Sequence, residues 1–276
     1  MKKILITGAK SYIGESVKDY LAKWKDEYTV VVKDAIGWDP EISDFEGFDV
    51  VFNVAGIVHI KETISNRQLY FDVNRDLVVK IAKTAKEAGV KQFILLSSMS
   101  VYGVIVGHIK KDTLPKPTTA YGESKLQADI EIEKLQDESF IFSCLRPPMV
   151  YGKNCPGNYQ MLRKIAIKSP LFPKITNERS MVYIGNLCEF IKSVIDQEKR
   201  GLFFPQNEVY INTSNMVEKI SAEHNRKILF TPIFNLIIKL LPITIMKKVF
   251  GNLTYEKVDQ INNYSFEESI YLSERG

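Results

Sequence analysis

Residues 4–14 read ILITGAKSYIG, a strand-like run that a tight turn joins to a helix-like one. The apolar run ends at Gly8, and the helix-like pattern starts at Tyr12. A glycine at such a turn lets backbone N–H groups approach a pyrophosphate, and the N-terminus of the helix adds partial positive charge. The usual glycine-rich signature has three glycines, but its middle position here is Ser11, which is small and adds a hydroxyl donor. The stretch therefore predicts a phosphate-binding loop at the first strand-to-helix turn.

Strand-like and helix-like runs alternate along the first half of the chain. The strand-like runs, which are apolar or β-branched, are residues 3–7, 28–33, 49–55, 92–97 and 140–145. The helix-like runs between them are residues 12–24, 69–88 and 121–136. Continuous apolar strands separated by helices indicate a parallel sheet with helices on both of its faces. The sequence thus predicts an α/β fold, a Rossmann-like doubly wound parallel sheet, with a smaller C-terminal region.

The alternation loosens after Pro147 and Pro148, where the elements become shorter and the loops contain Gly and Pro. We place a soft domain boundary there. The first domain is then residues 1–150, and residues 151–276 form a cap whose elements are interleaved with it. No internal repeat or low-complexity tract interrupts either part.

Charge and composition exclude several classes of protein. The chain has 276 residues, 45% of them hydrophobic, and 37 Lys and Arg against 33 Asp and Glu give a formal net charge of +4. This mild charge does not favour a nucleic-acid-binding protein, which needs a clustered basic face. Three cysteines without a CxxC spacing and three scattered histidines predict neither a disulfide framework nor a metal site. We expect a cytoplasmic protein without a transmembrane span, since no apolar run approaches the roughly 20 residues that a span requires.

A tyrosine and a lysine four residues apart, Tyr121 and Lys125, open the third helix-like run. At this spacing both side chains lie on one helical face. A tyrosine with a pKa near 10 is a poor acid–base catalyst at neutral pH unless its phenolate is stabilised. An ammonium about 5 Å away contributes roughly 3 kcal/mol at an effective dielectric constant near 20, or about two pKa units. A cationic nicotinamide would have to supply the remainder, which ties Tyr121 to a cofactor.

The YxxxK spacing alone arises about once by chance in a chain of this composition, so its interpretation depends on the motifs around it. Those motifs stand in a fixed order: NVAG at residues 53–56, SSMSVYG at residues 97–103 and RPPMVYG at residues 146–152. Together with residues 4–14 and Tyr121, the set resembles the extended short-chain dehydrogenase/reductases, in particular the nucleotide-sugar epimerase, dehydratase and reductase group. The resemblance covers about residues 1–190 and is thin beyond residue 215.

The resemblance implies a first domain that binds NAD or NADP. The cofactor-binding residues that it implies are Gly8, Ser11, Tyr12, Ile13, Gly14, Asp34, Ala55, Gly56, Tyr121, Lys125 and Pro148. Asp34 follows the second strand, where a carboxylate accepts hydrogen bonds from a ribose 2′-hydroxyl and favours NAD. Lys10 and Lys33 lie nearby in sequence and would instead neutralise the 2′-phosphate of NADP. Both cofactors stay open at this point.

The resemblance also implies three catalytic residues. Ser98 would position the sugar hydroxyl or ketone, Tyr121 would transfer the proton, and Lys125 would bind the nicotinamide ribose and lower the pKa of Tyr121. The cap would bind the substrate through Asn158 and Arg179, with Arg179 on the substrate diphosphate and Ser98 contributing from the first domain. No metal is implied.

Two departures from the family pattern narrow the reaction. Dehydratases of the family carry an Asp-Glu pair where this chain has Met99 and Ser100, and the 3,5-epimerising reductases use a cysteine at the position of Ser100. We therefore expect an enzyme that transfers hydride at one sugar carbon, C4. Residues 146–159 and 171–187 resemble reductases and epimerases of the family, which implies a role in bacterial-type surface polysaccharide sugar synthesis. Asn74 matches an active-site asparagine of the family.

Three alternatives stay open for the function. Net reduction of a 4-keto sugar is favoured slightly by the short C-terminal region, because UDP-sugar 4-epimerases of the family are usually longer. Redox-neutral 4-epimerisation of a UDP-sugar needs the same residues. A non-catalytic NAD(P)-sensing protein is the rival class, although such sensors typically lose the Tyr/Lys pair.

Two further features concern partners. Leu126 and Ile130 extend an apolar stripe on the Tyr121 helix. This helix often forms a dimer interface in the family that the chain resembles, which implies a homodimer through it. Residues 230–250 are apolar with three lysines. We interpret them as buried cap helices, with an interfacial amphipathic element at a membrane as the alternative.

We expect His59 to pack against other residues or to cap a helix rather than to catalyse.

Overall fold

A computed structural model describes residues 1–58, 60, 62–232 and 250–276 of the chain. His59 and residues 233–249 lie outside the described residues, so the hypotheses on them are not addressed by the structure. The chain divides into two compact units. Unit one comprises Met1–Gly103, Leu114–Pro147 and Cys188–Phe204, and unit two comprises Val104–Thr113, Pro148–Leu187 and Pro205–Gly276.

The strands are short outside unit one. In chain order they are β1 (Lys2–Thr7), β2 (Tyr28–Lys33), β3 (Val50–Asn53), β4 (Gln92–Leu96), β5 (Gly107–Ile109), β6 (Ile141–Leu145), β7 (Met149–Tyr151), β8 (Leu171–Pro173), β9 (Met181–Tyr183), β10 (Gly201–Phe203), β11 (Gln206–Asn207), β12 (Leu229–Thr231), β13 (Leu253–Tyr255) and β14 (Gln260–Ile261). The α-helices are α1 (Tyr12–Leu21), α2 (Arg67–Phe71), α3 (Val78–Glu87), α4 (Ala120–Glu133), α5 (Asn158–Lys168), α6 (Ile184–Asp196), α7 (Thr213–Glu223) and α8 (Phe266–Arg275).

Unit one is built on a six-stranded sheet in the order β10-β6-β4-β3-β1-β2. Every neighbouring pair of strands in it is parallel. The predicted Rossmann-like parallel α/β fold is therefore confirmed. The chain adds β2 on one side of β1 and β3 on the other, so the strand order reverses at β1. Open α/β sheets bind their ligands at the carboxyl ends of the strands beside such a switch point.

The burial of the strands explains why the sequence pattern was informative. All four residues of β3 are buried, as are the first four residues of β4 and the last four residues of β1 and β6. Strands covered by helices on both faces need continuous apolar sequence rather than alternation. The edge strands β2 and β10 are only partly buried. The core side chains that the sheet and helices share include Val51, Ile81, Phe93 and Ile132, each with no exposed surface.

The predicted helix at residues 69–88 differs in detail from the structure. A π-helical segment, Asp72–Leu77, separates α2 from α3. The extra residue in a π turn shifts which side chains face inward, and such turns are frequent at functional sites. Here the segment carries Asn74, whose side chain is completely buried.

Unit two consists of short parallel strand pairs and helices. The pairs are β7 with β9, β8 with β12, β5 with β13 and β11 with β14. Glu274 on α8 binds helix α5, because its carboxylate accepts from Tyr159 over 2.6 Å and from Arg163 over 2.7 Å.

No helix among the described residues is long and apolar enough to cross a membrane. Within the same residues, no three His, Cys, Asp or Glu side chains are grouped as a metal ion would require.

Candidate active site

The turn after β1 lies against the end of β3. Gly8 has a φ of +103°, and a Cβ atom added to it would lie 2.8 Å from the backbone nitrogen of Ala55. The Gly8 N–H donates to Lys33 O over 2.8 Å, which also ties the turn to the end of β2. The positive φ and the close backbone contact both require glycine here. The three strand ends beside the switch point are thus held together at the predicted phosphate loop.

Helix α1 begins directly after this turn. Ser11 is its N-cap, and the Ser11 hydroxyl accepts from Gly14 N–H over 3.3 Å. A Cβ on Gly14 would lie 3.0 Å from Val54 Cγ2 and 3.2 Å from Ile6 Cγ2. The second glycine therefore lets α1 pack closely on the strands.

Helix α4 positions two of the three candidate catalytic side chains. Its N-cap is Thr119, whose hydroxyl accepts from Gly122 N–H over 3.1 Å, and Tyr121 and Lys125 follow on the same helix. A Cβ on Gly122 would lie 2.5 Å from Ser100 O. The glycine therefore allows the start of α4 to lie directly against the turn that carries Ser98.

Ser98 caps a short 3-10 turn, Met99–Tyr102, which follows β4. The Ser98 hydroxyl accepts from Ser100 N–H and donates to Ser100 Oγ, each over 3.1 Å, and it lies close enough to Tyr121 to favour the phenolate of that residue. The predicted serine and tyrosine are therefore neighbours in the structure. This pair of hydroxyl groups is suited to hold one alcohol or ketone oxygen of a substrate between them.

The two ionisable groups on α4 have shifted pKa values. Burial is the main cause of both shifts: it raises the pKa of Tyr121 above its usual 10 and lowers the pKa of Lys125 to about 8. Ser98 acts in the opposite direction on the pKa of Tyr121 and favours the phenolate. The pKa of Tyr121 is therefore raised, whereas the sequence leads us to expect Lys125 to lower it, because desolvation by burial outweighs the effect of Ser98.

The surroundings of the Lys125 ammonium fit a nicotinamide dinucleotide. Lys125 is 3% exposed, and its Nζ donates to Leu96 O over 3.0 Å. An ammonium has three donors, and this is its one hydrogen-bond acceptor among the described residues. A Cβ on Gly56 would lie 3.2 Å from Lys125 Nζ and 2.8 Å from Asn74 Oδ1. Gly56 therefore keeps space open at donors that the protein leaves unused.

Asn74 joins the loop after β3 to helix α4. Its Oδ1 accepts from Ile57 N–H over 2.8 Å, and its Nδ2 donates to Ile57 O over 3.1 Å and to Ser124 Oγ over 3.3 Å. The side chain thus fixes the segment that contains Gly56 against the helix that carries Lys125. The position of Asn74 in the π-helical segment directs it inward.

The end of β2 carries the acid and the base that bear on cofactor choice. Asp34 is exposed and its Oδ1 accepts from Ile36 N–H over 3.1 Å. Lys33 Nζ lies 3.0 Å from Asp44 Oδ1. The Lys33 charge is therefore already paired, whereas the Asp34 carboxylate has no cationic partner in the described part of the chain.

The remaining candidate residues belong to unit two. Pro148 is buried and begins the segment Pro148–Leu187 of unit two. Asn158 is exposed and is the first residue of α5. Arg179 pairs through its backbone with Ile211, and its Nη1 donates to Gly251 O over 2.8 Å. Burial lowers the pKa of Arg179, and no carboxylate forms an ion pair with it within the described residues. Its charge is therefore available to an anionic ligand.

One residue near the site, Asp129, was missed by the sequence analysis. Asp129 lies four residues after Lys125, and its buried carboxylate accepts from Arg146 and Ser97. The continuation of the i, i+4 pattern from Tyr121 through Lys125 to Asp129 is the signal that would have identified it.

The three cysteines are all buried free thiols, and burial raises the pKa of both Cys155 and Cys188 to about 12. Such thiols are poor nucleophiles.

Comparisons with known proteins identify the family of the chain. The sequence profile of the NAD dependent epimerase/dehydratase family matches residues 4–204. A UDP-glucose 4-epimerase of Vibrio cholerae is 29% identical over 276 aligned residues, which cover 91% of this chain and 83% of the relative. The N-acetyl-alpha-D-glucosaminyl-diphospho-ditrans,octacis-undecaprenol 4-epimerase of Escherichia coli O157:H7 is 27% identical over 82% of this chain and 73% of its own length.

Solved structures share the fold of the described part of the chain. A UDP-glucuronic acid 4-epimerase from Bacillus cereus, in complex with NAD, superposes with a TM-score of 0.77 at 18% identity and covers 98% of this chain and 97% of its own. A dTDP-4-dehydrorhamnose reductase from Bacillus anthracis, in complex with NADP, also has a TM-score of 0.77, at 17% identity and with coverage of 99% and 98%. At these identities the likeness establishes the fold alone.

Proposed function

The chain belongs to the NAD dependent epimerase/dehydratase family, and on that premise we propose that it is an enzyme that interconverts the C4 alcohol and C4 ketone of a nucleotide sugar with NAD or NADP. The observation that carries the proposal is the proximity of Ser98 to Tyr121, with the buried Lys125 one turn further along the same helix. A non-catalytic sensor of the same fold would not need these three groups to be held together.

Each of the three side chains has a distinct task in the proposed reaction. The Ser98 hydroxyl holds the C4 oxygen, and the Tyr121 phenolate removes the proton from that oxygen as the C4 hydrogen leaves the sugar. In the reverse direction Tyr121 returns the proton to the ketone oxygen. The Lys125 charge stabilises the phenolate and offers its unused donors to the nicotinamide ribose. The nicotinamide, when bound, supplies the acceptor and the donor of the hydride.

The residues at the carboxyl ends of β1, β2 and β3 fit the remainder of the cofactor. We propose that the turn from Gly8 to Gly14 binds the pyrophosphate and that Ala55 and Gly56 line the cofactor beside it. Asp34 would accept hydrogen bonds from the adenosine ribose. Because Lys33 is paired with Asp44, Lys10 is the one nearby cation left for a 2′-phosphate, and the balance favours NAD over NADP.

Redox-neutral 4-epimerisation is the form of the reaction that we favour. The Vibrio cholerae and Escherichia coli relatives, which align with most of the chain, are both named 4-epimerases. In such a reaction the C4 ketone turns over between the two hydride transfers, so that the returning hydride reaches its opposite face. Net reduction of a 4-keto sugar uses the same three side chains and is the alternative, with the likeness to the dTDP-4-dehydrorhamnose reductase as its support.

We further propose that Arg179 binds the diphosphate of the substrate. The guanidinium is largely buried and has no carboxylate partner within the described residues, so it carries a charge that a diphosphate would neutralise. Asn158, exposed at the start of α5, is proposed to contact the substrate as well. An arginine presents paired donors that match phosphate oxygens.

A lipid-linked diphosphate sugar is a second candidate substrate. The Escherichia coli relative is named for such a substrate, and this chain has no acidic residue between His224 and Tyr255. Leu171 and Leu229, paired in register between β8 and β12, are 37% and 63% exposed. Apolar side chains among basic residues favour an anionic lipid surface.

Liposome co-sedimentation tests this second candidate. The wild-type chain and a Leu171→Glu/Leu229→Glu variant would be compared on vesicles with and without anionic lipid, with Leu114→Glu as a control on another exposed leucine. Binding that is weakened in the double variant alone supports the lipid-linked substrate. Equal sedimentation of all three proteins counts against it.

The reaction itself is tested by incubation with UDP- and dTDP-sugars and their 4-keto derivatives. Absorbance at 340 nm follows the reduced cofactor, while the sugar products are identified separately. Conversion of a sugar to its C4 epimer without a lasting change in absorbance indicates epimerisation. Consumption of the reduced cofactor in proportion to product indicates net reduction. No conversion of any sugar with either cofactor contradicts the proposal.

A further inference from the structure

A buried ion pair lies beside the proposed catalytic side chains. Asp129 and Arg146 are 4% and 7% exposed, and Arg146 Nε donates to Asp129 Oδ2 over 3.0 Å. Asp129 lies on α4 one turn after Lys125, and Arg146 follows β6 directly. A buried ion pair rarely adds stability, because removing two charges from water offsets their attraction. This pair therefore suggests a role other than stability.

The two charged groups hold the residues on either side of Ser98. Ser97 Oγ donates to Asp129 Oδ2 over 2.8 Å, and Arg146 Nη1 donates to the Tyr102 hydroxyl over 2.8 Å. Ser97 comes immediately before Ser98, and Tyr102 closes the 3-10 turn that Ser98 caps. The Arg146 guanidinium also lies 5.3 Å from the centre of the Tyr102 ring. Both ends of the segment that presents the Ser98 hydroxyl are thus fixed by the pair.

The same pair acts on Lys125 through backbone and charge. Lys125 Nζ donates to Leu96 O, and Leu96 precedes Ser97, which Asp129 holds. The Asp129 charge raises the pKa of Lys125 and so opposes the lowering that burial causes. One oxygen of Asp129, Oδ1, is buried without a hydrogen-bond partner among the described residues. Within the described residues, no hydrogen-bond donor therefore weakens the negative charge of Asp129 at Oδ1.

We propose that the Asp129–Arg146 pair is a positioning device, which fixes Ser98 against Tyr121 and supplies the negative charge that stabilises the Lys125 ammonium. The inference rests on the proposed function, because it concerns the same three side chains. Asp129 and Arg146 act through Ser97, Tyr102 and Lys125 and are positioning residues rather than catalytic ones.

Loss of the Asp129 charge has a defined effect on the pH profile. The carboxylate favours the ammonium of Lys125 and disfavours the phenolate of Tyr121, so its removal lowers the pKa of both groups. The titratable groups that face these side chains from other elements stay in place. They are Cys144 on β6, Arg146 after it, Tyr102 in the 3-10 turn and Tyr70 on α2. The two limbs of the profile of kcat against pH, which follow the ionisation of Tyr121 and of Lys125, therefore move to lower pH together.

Three variants separate positioning from stability. Asp129→Asn removes the charge, Asp129→Glu keeps the charge but displaces the carboxylate from Ser97, and Ser143→Ala is the matched control. Ser143 has no exposed surface and accepts from Gln92 on the neighbouring strand over 3.2 Å. It lies on β6, two residues before the end of that strand. The kcat, KM, thermal midpoint and affinity for NADH of each variant would be measured across the pH range.

We expect Asp129→Asn to lower kcat by about 10- to 100-fold with little change in KM, and to move both limbs down by about one pH unit. The affinity of this variant for NADH, measured by fluorescence, declines at a pH that is lower than in the wild type by a similar amount. Asp129→Glu lowers kcat but leaves both limbs in place. Ser143→Ala lowers the thermal midpoint without moving either limb.

The outcomes distinguish this inference from the proposed function. An active wild type together with an Asp129→Asn variant that keeps its kcat and both limbs overturns the positioning role. A lower thermal midpoint with unmoved limbs in Asp129→Asn overturns it as well, since the pair is then only structural. If Asp129→Asn does not fold, Asp129→Glu decides: a fall in kcat at unmoved limbs supports the proposal, and an unchanged kcat overturns it. A wild type that converts no sugar contradicts the proposed function, and the NADH affinities then test the pair alone.

Discussion

Lys125 is the residue in which burial and charge conflict most directly. Its ammonium is almost completely removed from solvent and has a single described acceptor, Leu96 O. A protein that used this position only for packing would place an apolar side chain there. The retained charge is explained by the proposed task of Lys125, which is to stabilise the Tyr121 phenolate and to bind the cofactor ribose.

This conflict predicts a pH-dependent gain in stability for Lys125→Met. The pKa of Lys125 is about 8 in the folded chain and about 10.4 in an unfolded one. Between these values the unfolded state binds more protons, so the stability of the wild type rises with pH. We expect the free energy of unfolding of Lys125→Met to exceed that of the wild type by up to about 3 kcal/mol at neutral pH, and the difference to close near pH 10.

Urea denaturation at neutral pH and near pH 10 measures this difference. The exposed Lys83 on α3 provides the control, because Lys83→Met removes a lysine without relieving a buried charge. A Lys125→Met variant that is less stable than the wild type at neutral pH would contradict the account of Lys125.

At the scale of elements, the turn between β1 and α1 brings the cofactor residues together. Gly8 and Gly201 offer a matched comparison, because both have a strongly positive φ, +103° and +111°. A Cβ on Gly8 would clash with the Ala55 backbone, whereas a Cβ on Gly201 meets no atom within 4 Å. The two positions share the backbone strain but differ in what surrounds them.

We expect Gly8→Ala to weaken NAD(P) binding by at least about 10-fold, because the strand ends must separate to admit the methyl group. Gly201→Ala carries the strain of an alanine at positive φ without moving the strand ends. Isothermal titration with NAD and with NADP, together with thermal midpoints, compares the two variants. Equal loss of affinity in both would show that the contact with Ala55 is not what the site requires.

The elements of the sheet were predictable because each depends on local sequence. The predicted strand at residues 28–33 coincides with β2, and the run at residues 92–97 exceeds β4 by one residue. Continuous burial of a parallel strand leaves a continuous apolar run, which is visible without the fold. The π-helical segment around Asn74 was not predictable, because the inserted residue changes the register of the helix but not the composition of its sequence.

The contacts of the site depend on residues far apart in the chain. Asp129 and Arg146 are 17 residues apart and join α4 to the end of β6, and Ser98 meets Tyr121 only because Gly122 lets α4 lie against the preceding turn. The sequence motifs indicated the candidate residues. Their burial, and hence the direction in which their pKa values move, required the packing of the sheet against α4.

At the scale of the molecule, the residues with proposed roles divide between the two units. Unit one contains the phosphate loop and the three proposed catalytic side chains, and unit two contains Pro148, Asn158 and Arg179. The proposed NAD(P) contacts lie mainly in the first, and the proposed diphosphate contact lies in the second. The chain alternates between the units, so neither corresponds to a single continuous stretch of sequence.

We also propose that the enzyme is a homodimer through α4. Ile130 on this helix is 45% exposed, and a surface depression beside it is lined by basic and acidic side chains of α3, α4 and the π-helical segment. A two-fold interface is self-complementary, and a patch with both signs of charge around an apolar centre can meet its own copy.

Light scattering after size exclusion tests the dimer. The wild type should elute with about twice the chain mass of 31.6 kDa, and Ile130→Glu should shift it to the mass of one chain, because a buried carboxylate opposes association. Leu114→Glu, at a position that is 76% exposed, should leave the mass unchanged. A wild type of 31.6 kDa rules out the dimer.

The most direct test of the central claim is the turnover of Tyr121→Phe, measured beside its affinity for NAD(P). The substitution removes one hydroxyl and keeps the ring, which lies 6.5 Å from that of Tyr70. We predict that conversion of the nucleotide sugar identified in the panel falls by at least about 1,000-fold, since the proton transfer loses its only carrier. Cofactor affinity stays within about threefold of the wild type, while Tyr271→Phe on α8 retains full activity. A Tyr121→Phe variant that turns over its substrate as fast as the wild type would contradict the account.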